Sequence, residues 1–283
     1  MFCALPENLF LSLFLLKEKT AKTSPSYLPC LTALDIEEHS YMNSKRIALI
    51  TGANKGIGLQ VSRELALLGY TVLIGARSKT LGTEVEKKFT EEGLSAVFVP
   101  IDVTDHNTIE AAASLIGKRF GRLDVLINNA GIALDAGMPP SQVSVESLRK
   151  TFETNVFGAF AVIQTMLPLL RKSEAGRIVN MSSGLGSLTQ NSDPNYEFAH
   201  VKPLAYNSSK TAINALTVQF AYELQNTSIK INSADPGFTA TDLNNHSGTR
   251  TVEQAAQIVV KLASLPESGP TGGFFDENGQ VPW

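Results

Sequence analysis

Strand-like and helix-like segments alternate along residues 45–283, and no other feature of the sequence limits the fold as strongly. Short runs of Val, Ile and Leu, which are typical of strands buried on both faces, are separated by segments whose apolar residues have helical spacing. Parallel strands need right-handed crossovers of about ten or more residues. The sequence therefore predicts one doubly wound α/β domain with a parallel sheet. The predicted strands are Arg46–Thr51, Tyr70–Ala76, Ala96–Ile101, Leu123–Asn128, Arg177–Met181, Ile229–Ala234 and, as a candidate last strand, Gly272–Phe275.

The helices predicted between these strands differ in length. The longest is Ser144–Leu170, between the fourth and fifth strands. Asp105 is placed to cap the preceding helix, and Thr251 with Gln254 has the spacing of a capping box. The other predicted helices are Ile57–Leu68, Thr80–Glu92, Asp105–Phe120, Leu204–Leu224 and Thr251–Leu265.

Residues 1–44 differ in character from the predicted domain at 45–283. They contain both cysteines, Cys3 and Cys30, which is weak evidence for an oxidising compartment. The apolar run Leu9–Leu16 has the length of a signal-peptide core, but Glu7 and no basic residue precede it, and no small-residue cleavage site follows. We expect a cytoplasmic protein in which this N-terminal extension is disordered or lies upstream of a true start at Met42.

Charge and hydropathy exclude two classes of partner. The formal net charge of -3 and the sequence pI of about 5.9 argue against a nucleic-acid-binding protein, which needs a basic face. No apolar run reaches the roughly 18–20 residues of a membrane-spanning helix. The histidines lack metal-ligand spacing, so we expect no metal.

A glycine-rich turn follows the first predicted strand and opens the first helix. Its sequence, T-G-A-N-K-G-I-G, supplies Gly52, Gly56 and Gly58, which let the backbone approach a pyrophosphate at a helix N-terminus. Glycine is common in turns, but this strand–turn–helix context favours a dinucleotide site. The predicted phosphate-loop residues are Gly52, Asn54, Lys55, Gly56, Ile57 and Gly58.

The end of the second predicted strand favours NADP(H) over NAD(H). An acidic residue there would accept hydrogen bonds from the ribose hydroxyls and repel a 2′-phosphate, but the sequence has Arg77 and no acid. Arg77 and Lys55 can bind that phosphate, although each alone could be a solvated surface charge. Asp102 and its neighbour Val103, after the third strand, are predicted near the adenine; the alternative for Asp102 is a turn or cap.

A second group of polar residues is suited to proton transfer. Tyr206 and Lys210 form Y-x-x-x-K, which puts both on one face of a helix, and the ammonium is expected to lower the pKa of the phenol toward neutrality. Ser183 follows the fifth strand, where it can hold a substrate carbonyl or simply cap a loop. Asn155, inside the longest predicted helix, has the donor and acceptor that a water-held proton relay needs.

These motifs together resemble the short-chain dehydrogenase/reductase family. T-G-x-x-x-G-x-G, Asn128-Asn129-Ala130-Gly131, Asn155, Ser183, Tyr206 with Lys210, and Asp235-Pro236-Gly237 occur in the family's order over about residues 45–283. T-G-A-N-K-G-I-G with G-A-R-S is most similar to the carbonyl reductase-like, NADPH-using branch. The resemblance implies a Rossmann domain that transfers hydride between NADP(H) and a ketone or aldehyde, reversibly.

The resemblance also implies a role for each motif residue. Tyr206 is then the proton donor and acceptor, Lys210 lowers its pKa and holds the nicotinamide ribose, Ser183 polarises the carbonyl, and Asn155 anchors the water chain. The implied coenzyme contacts are Asn129 at the adenosine ribose and, with Pro236 and Gly237, Thr239 and Thr241 at the nicotinamide carboxamide or pyrophosphate.

One departure from the family pattern bears on substrate and assembly. The stretch between Ser183 and Tyr206 is longer than in many members, and its polar part, residues 189–202, is expected to overhang the substrate site. Longer insertions of this kind accompany monomers among carbonyl reductases, so we expect a monomer or small homo-oligomer. The alternatives are an NAD-dependent alcohol dehydrogenase, which the missing acid opposes, and a non-catalytic NADP(H) sensor, which the intact set of four residues opposes.

Overall fold

A computed structural model of the chain describes residues 45–283, and one sheet runs through that part. The strand order is β3-β2-β1-β4-β5-β6-β7-β8. All pairs are parallel except β7 with β8, which is antiparallel. The strands are β1 Ile47–Thr51, β2 Thr71–Ala76, β3 Ala96–Pro100, β4 Val125–Asn128, β5 Arg177–Met181, β6 Lys230–Ala234, β7 Phe274–Asp276 and β8 Gly279–Gln280.

Helices cover both faces of the sheet, as a doubly wound fold requires. They are α1 Gly56–Leu67, α2 Lys79–Glu91, α3 His106–Phe120, α4 Val145–Phe152, α5 Ala159–Leu170, α6 Leu188–Ser192, α7 Leu204–Glu223 and α8 Val252–Ala263. The predicted caps are present: the Asp105 side chain accepts from Asn107 N at 3.0 Å, and Thr251 and Gln254 form a reciprocal capping box. No helix among residues 45–283 is long and apolar enough to cross a membrane.

Two apolar clusters hold the helices against the sheet. One lies on the face covered by α3, α5 and α7 and includes Leu49, Leu126 and Ile163; the other lies under α1 and α8 and includes Ile50 and Val259. Every residue of β1 is buried, because alternate side chains enter opposite clusters. Burial on both faces explains why the strands are continuous apolar runs.

The sheet order confirms the predicted fold and locates a ligand crevice. From β1 the chain adds β2 and then β3 toward one edge of the sheet. It then returns to the other side of β1 and adds β4 and the later strands toward the opposite edge, so the order reverses between β1 and β4. Ligands of open α/β sheets bind outside the carboxyl ends of the strands at such a point. Candidate site residues that follow β1, β4, β5 and β6 therefore meet at one edge.

The structure corrects the longest predicted helix. Residues 144–170 are not one α-helix: α4 and α5 are separated by a π-helical turn at Glu153–Gly158. Gly158, the last residue of this turn, lies close to the loop that follows β3. A Cβ on Gly158 would be only 2.8 Å from the Val103 carbonyl oxygen. The wider turn places Asn155 on the inner side of the helix, where it is 2% exposed.

Two further elements differ from the sequence-based expectation. The predicted strand Gly272–Phe275 begins later, at Phe274, because Gly272 has a φ of 73°, and it continues into the hairpin strand β8, which the sequence did not predict. The stretch after Ser183 contains the short helix α6, also unpredicted. The expectations for residues 1–44 fall outside the described residues.

Candidate active site

The glycine-rich loop is held in place by the residue after β4. Asn129 Nδ2 donates to the carbonyl oxygens of Thr51 (2.8 Å) and Gly52 (3.2 Å), and Asn129 N donates to Thr51 Oγ1 (3.0 Å). Gly52 and Gly56 have φ values of 65° and 57°, which favour glycine. A Cβ on Gly58 would overlap Asn129 Nδ2 and lie 2.7 Å from Gly52 O. Asn129 therefore braces the loop, a contact the sequence alone did not indicate.

The N-terminus of α1 has the chemistry that a pyrophosphate needs. No side chain caps this helix, so the backbone N–H groups of its first turn are left for another acceptor. The helix dipole favours an anion at the same place. Gly56 and Ile57, in that first turn, and Asn54 just before it are only partly buried. The loop and helix end therefore fit the phosphates of a dinucleotide.

The residues predicted to select the coenzyme lie in different surroundings. Arg77 follows β2 directly, is exposed, and makes no ion pair within the described part of the chain. Lys55 Nζ, in contrast, lies 2.6 Å from Asp242 Oδ2 in an exposed ion pair. Asp102 Oδ1 accepts from the Thr104 N–H at 3.0 Å and from its hydroxyl at 2.8 Å, which is the turn contact weighed as its alternative role. Val103, beside it, packs on the π-helical turn.

Tyr206, Lys210 and Ser183 meet at the carboxyl ends of β5 and β6. Helix α7 carries Tyr206 and Lys210 one turn apart, and the Lys210 Nζ lies 5.5 Å from the centroid of the Tyr206 ring. The same Nζ donates to Met181 O at 2.6 Å, which fixes the lysine against the end of β5. The Ser183 side chain lies close enough to Tyr206 to lower the pKa of its phenol slightly, and its Oγ accepts from Leu185 N at 3.2 Å. Two hydroxyl-bearing side chains thus lie beside a buried amine.

The electrostatics of this group differ from the expected lowering of the phenol pKa. Burial, with a smaller repulsion from the Asp235 carboxylate, raises the pKa of Tyr206 to about 12, and the Ser183 hydrogen bond opposes this only weakly. Burial also lowers the pKa of Lys210 to about 8. Desolvation penalises the charged form of each group, the phenolate of Tyr206 and the ammonium of Lys210. With a pKa of about 12, Tyr206 is a protonated phenol at neutral pH.

Asn155 joins the loop after β4 to the helix that carries Tyr206. Its Oδ1 accepts from Ile132 N (2.8 Å), while its Nδ2 donates to Ile132 O (2.9 Å) and to Ser209 Oγ (3.0 Å). Both amide hydrogens are therefore used by protein groups, and only one lone pair of Oδ1 is left for a water. The side chain holds two parts of the site together; its role in a water relay stays a prediction.

The loop after β6 closes the other side of the crevice. Asp235 Oδ1 accepts from Gly237 N at 2.9 Å, and Gly237 has a φ of 71°. The Thr239 hydroxyl donates to Pro236 O at 3.1 Å, and Thr239 is 5% exposed. Thr241 precedes a short 3-10 turn at Asp242–Asn244 and lies against Gly56. Of the four predicted residues 236, 237, 239 and 241, which all lie on the loop after β6, Thr241 is thus brought next to the glycine-rich loop.

Sequence reasoning missed three residues that the structure adds to this region. The half-buried carboxyl of Asp235 lies against Gly184, and desolvation raises its pKa. Tyr196, in the long insertion, contacts Phe198 with ring centroids 5.7 Å apart, and burial raises its pKa to about 12. Asp135 accepts from the first N–H groups of α7. Asp235 alone had a signal, its place before Pro236.

No arrangement of three or more His, Cys, Asp or Glu side chains within residues 45–283 is suited to a metal ion. The chemistry available at the site is that of two hydroxyls, one amine and an anion-binding loop. These groups can bind a dinucleotide, hold a carbonyl oxygen between Ser183 and Tyr206, and give that oxygen a proton.

The chain is similar in sequence and in fold to known proteins. A family model described as short chain dehydrogenase matches residues 46–251. "Short-chain dehydrogenase anuI" of Penicillium roqueforti is 38% identical over 78% of this chain and 89% of its own length. "Carbonyl reductase [NADPH] 1" of Homo sapiens is 31% identical over 84% of this chain and 98% of its own. The structure of NADPH-bound carbonyl reductase from chicken fatty liver has a TM-score of 0.75 at 28% identity, covering 84% and 99% of the two chains.

Proposed function

This chain belongs to the short-chain dehydrogenase family, and we propose that it is an NADPH-dependent carbonyl reductase that uses Tyr206 as its proton donor. The substrate is a ketone or aldehyde of small-molecule size, and the reaction is reversible. The observation that carries the proposal is the grouping of Tyr206, Ser183 and buried Lys210 at the edge of the sheet where dinucleotides bind, with the Ser183 side chain close enough to Tyr206 to lower its pKa slightly.

The protein's own groups account for the proton side of the reaction. NADPH, when bound, supplies the hydride that reaches the carbonyl carbon. The substrate oxygen accepts hydrogen bonds from Ser183 and Tyr206, which stabilise the negative charge that develops there. Tyr206 then gives its proton to that oxygen, and the phenolate takes a proton back from solvent. A pKa of about 12 keeps Tyr206 protonated at neutral pH, which suits the reductive direction.

Coenzyme preference rests on charge. Arg77 is exposed and without an ion pair among the described residues, so its guanidinium can form a bidentate contact with a 2′-phosphate. Gly75 and Ala76 precede it, and no carboxylate follows β2 to compete for the ribose hydroxyls. The ion pair of Lys55 with Asp242 is solvent-exposed, and such pairs contribute little, so Lys55 can turn to the phosphate.

Two observations favour this function over its alternatives. A protonated Tyr206 is the form that donates a proton in carbonyl reduction, and the absence of an acid after β2 opposes an NAD-dependent alcohol dehydrogenase. A non-catalytic NADP(H) sensor needs no proton donor at the carbonyl position, yet Ser183, Tyr206 and Lys210 are all present and lie together at this edge of the sheet.

The test compares two tyrosines of the same helix. Tyr206→Phe removes the proposed acid and keeps the ring, whereas Tyr222→Phe alters a residue of α7 that is 74% exposed. After a panel of aldehydes and ketones has identified one reducible substrate, single-turnover reduction is measured for both variants. We expect Tyr206→Phe to lose roughly 10²–10⁴-fold in rate with NADPH affinity retained, and Tyr222→Phe to match the wild type. A Tyr206→Phe variant that reduces the substrate at the wild-type rate contradicts the proposal.

A further inference from the structure

We infer that Asp135 is a positioning residue for the reaction: its buried carboxylate holds the N-terminal turn of α7 and thereby sets where the Tyr206 hydroxyl lies. Asp135 Oδ2 accepts from Ala205 N at 2.6 Å, and Oδ1 accepts from Tyr206 N at 3.4 Å. The carboxylate therefore contacts the backbone of the proposed proton donor itself. This inference rests on the function proposed above for Tyr206.

The helix needs a partner at this end and has none of its own. The residue before α7 is Pro203, whose side chain cannot accept a hydrogen bond from the first turn. Asp135 supplies the missing acceptor from a loop 70 residues earlier in the chain. A carboxylate at a helix N-terminus is also favoured by the helix dipole. Asp135 thus acts as a capping residue that is supplied by tertiary structure.

The burial of Asp135 is unusual for its surroundings. It is 0% exposed, while its neighbours Leu134 and Ala136 and all residues from Gly137 to Gln142 are exposed. A carboxylate is costly to bury unless its oxygens receive hydrogen bonds, and the two N–H groups of α7 provide them. The Asp135 side chain therefore gives this otherwise exposed loop a fixed contact with α7.

The contact also completes a two-point attachment of the loop after β4. Asn155 holds Ile132, and Asp135, three residues later, holds α7. Ser209, on the same helix, bonds Asn155 as well. The loop, the π-helical turn and α7 are therefore linked by hydrogen bonds of the Asn155 and Asp135 side chains. A shift of α7 by about 1 Å would separate Tyr206 from Ser183, and such displacements can cost about a hundredfold in rate.

The test uses Asp135→Ala and Asp135→Asn, with Asp124→Asn as the matched control. Asp124 is also a buried carboxylate that accepts from a backbone N–H, that of Ile47 at 2.8 Å, but it lies at the opposite end of β4. For Asp135→Ala we expect kcat to fall by about ten- to a hundredfold while NADPH affinity is unchanged. Asp135→Asn retains one acceptor oxygen and should lose less. Asp124→Asn should lower the melting temperature and leave kcat unchanged.

A double-mutant comparison separates positioning from a general structural effect. In a Tyr206→Phe background the acid is gone, so adding Asp135→Ala should cause little further loss of the residual rate. Full additivity, or a wild-type kcat for Asp135→Ala, overturns the inference while leaving the function proposed for Tyr206 intact. A fully active Tyr206→Phe overturns that function instead. If Asp135→Ala does not fold, Asp135→Asn carries the same comparison, and a wild-type kcat for it overturns the inference.

Discussion

The Lys210 ammonium lies 5.5 Å from the centroid of the Tyr206 ring and is bonded to the backbone of β5. Burial has the largest effect on both groups: it raises the pKa of Tyr206 to about 12 and lowers that of Lys210 to about 8. Of these two groups, Lys210 therefore has the pKa nearer to neutral pH.

The first prediction concerns the pH dependence of carbonyl reduction. Tyr206 stays protonated well above neutral pH, so it causes no loss of activity there. Lys210 loses its charge as the pH rises through about 8, and with it the ammonium proposed to hold the ribose. We expect kcat/KM for NADPH, which reports groups of the free enzyme, to fall above about pH 8. In Lys210→Met, kcat/KM for NADPH should be low and should no longer fall above about pH 8. A fall that persists in this variant would mean that another group titrates there.

The second prediction separates the two cations proposed to bind the 2′-phosphate. Arg77→Asp removes a phosphate partner and adds repulsion, so we expect the ratio of kcat/KM for NADPH over NADH to fall by roughly ten- to a hundredfold. Lys55→Ala should have a smaller effect, because the charge of Lys55 is already offset by Asp242. Steady-state kinetics with both coenzymes measures the ratios, and an unchanged ratio in Arg77→Asp contradicts the assignment to NADPH.

The third prediction tests the brace between Asn129 and the glycine-rich loop. A methyl group on Gly58 would collide with Asn129 Nδ2, so Gly58→Ala should break the contact, lower stability by about 1–3 kcal/mol and weaken NADPH binding. Gly117→Ala is the control, since its Cβ would meet only Leu169 at an ordinary 3.4 Å in helix α3. Thermal melting and fluorescence titration with NADPH compare the two. Normal NADPH binding by Gly58→Ala would show that the brace is not needed.

Much of the fold could be predicted because it depends on local patterns. Strands β1, β2 and β4 are continuous apolar runs between helix-forming segments, and this alternation is typical of a doubly wound parallel sheet. The glycine-rich loop and the Y-x-x-x-K pair were likewise identified from spacing. Each of these features involves residues that are close in the sequence.

The features that could not be predicted depend on distant contacts. The π-helical turn ends at Gly158, which packs closely against the distant Val103, and the capping contact of Asp135 joins residues 70 positions apart. The pKa of Tyr206 depends on how deeply the fold buries it, and the ammonium one turn away indicated the opposite direction. Packing therefore decides the electrostatics of the site more than residue spacing does.

The fourth prediction concerns residues 1–41. Both apolar clusters of the described structure are formed within residues 47–275, and all predicted site residues lie at or after Gly52. We expect the chain from Met42 to Trp283 to fold and to bind NADPH as the full chain does. Circular dichroism and fluorescence titration of the two forms make the comparison. Loss of folding or of NADPH affinity in the shorter chain would show that the domain includes the N-terminal residues.

The last prediction concerns the chain's final two residues and the insertion between Ser183 and Tyr206. The Ser187 hydroxyl donates to Pro282 O at 2.7 Å, and Thr189 N donates to Trp283 O at 2.9 Å. Trp283 is stacked on Phe274 of β7, with ring centroids 5.8 Å apart. The base of the insertion is therefore attached to the sheet through the end of the chain.

Deleting Pro282 and Trp283 removes both acceptors and the stacked ring, so the insertion loses its attachment while the glycine-rich loop is untouched. Since we expect the insertion to overhang the substrate, KM for the carbonyl compound should rise roughly tenfold, equivalent to about one hydrogen bond, with NADPH affinity unchanged. Trp283→Phe keeps the backbone acceptors and an aromatic ring, and it should behave as the wild type. Steady-state kinetics at saturating NADPH decides the matter: an unchanged KM in the deletion variant would mean that the insertion does not contact the substrate.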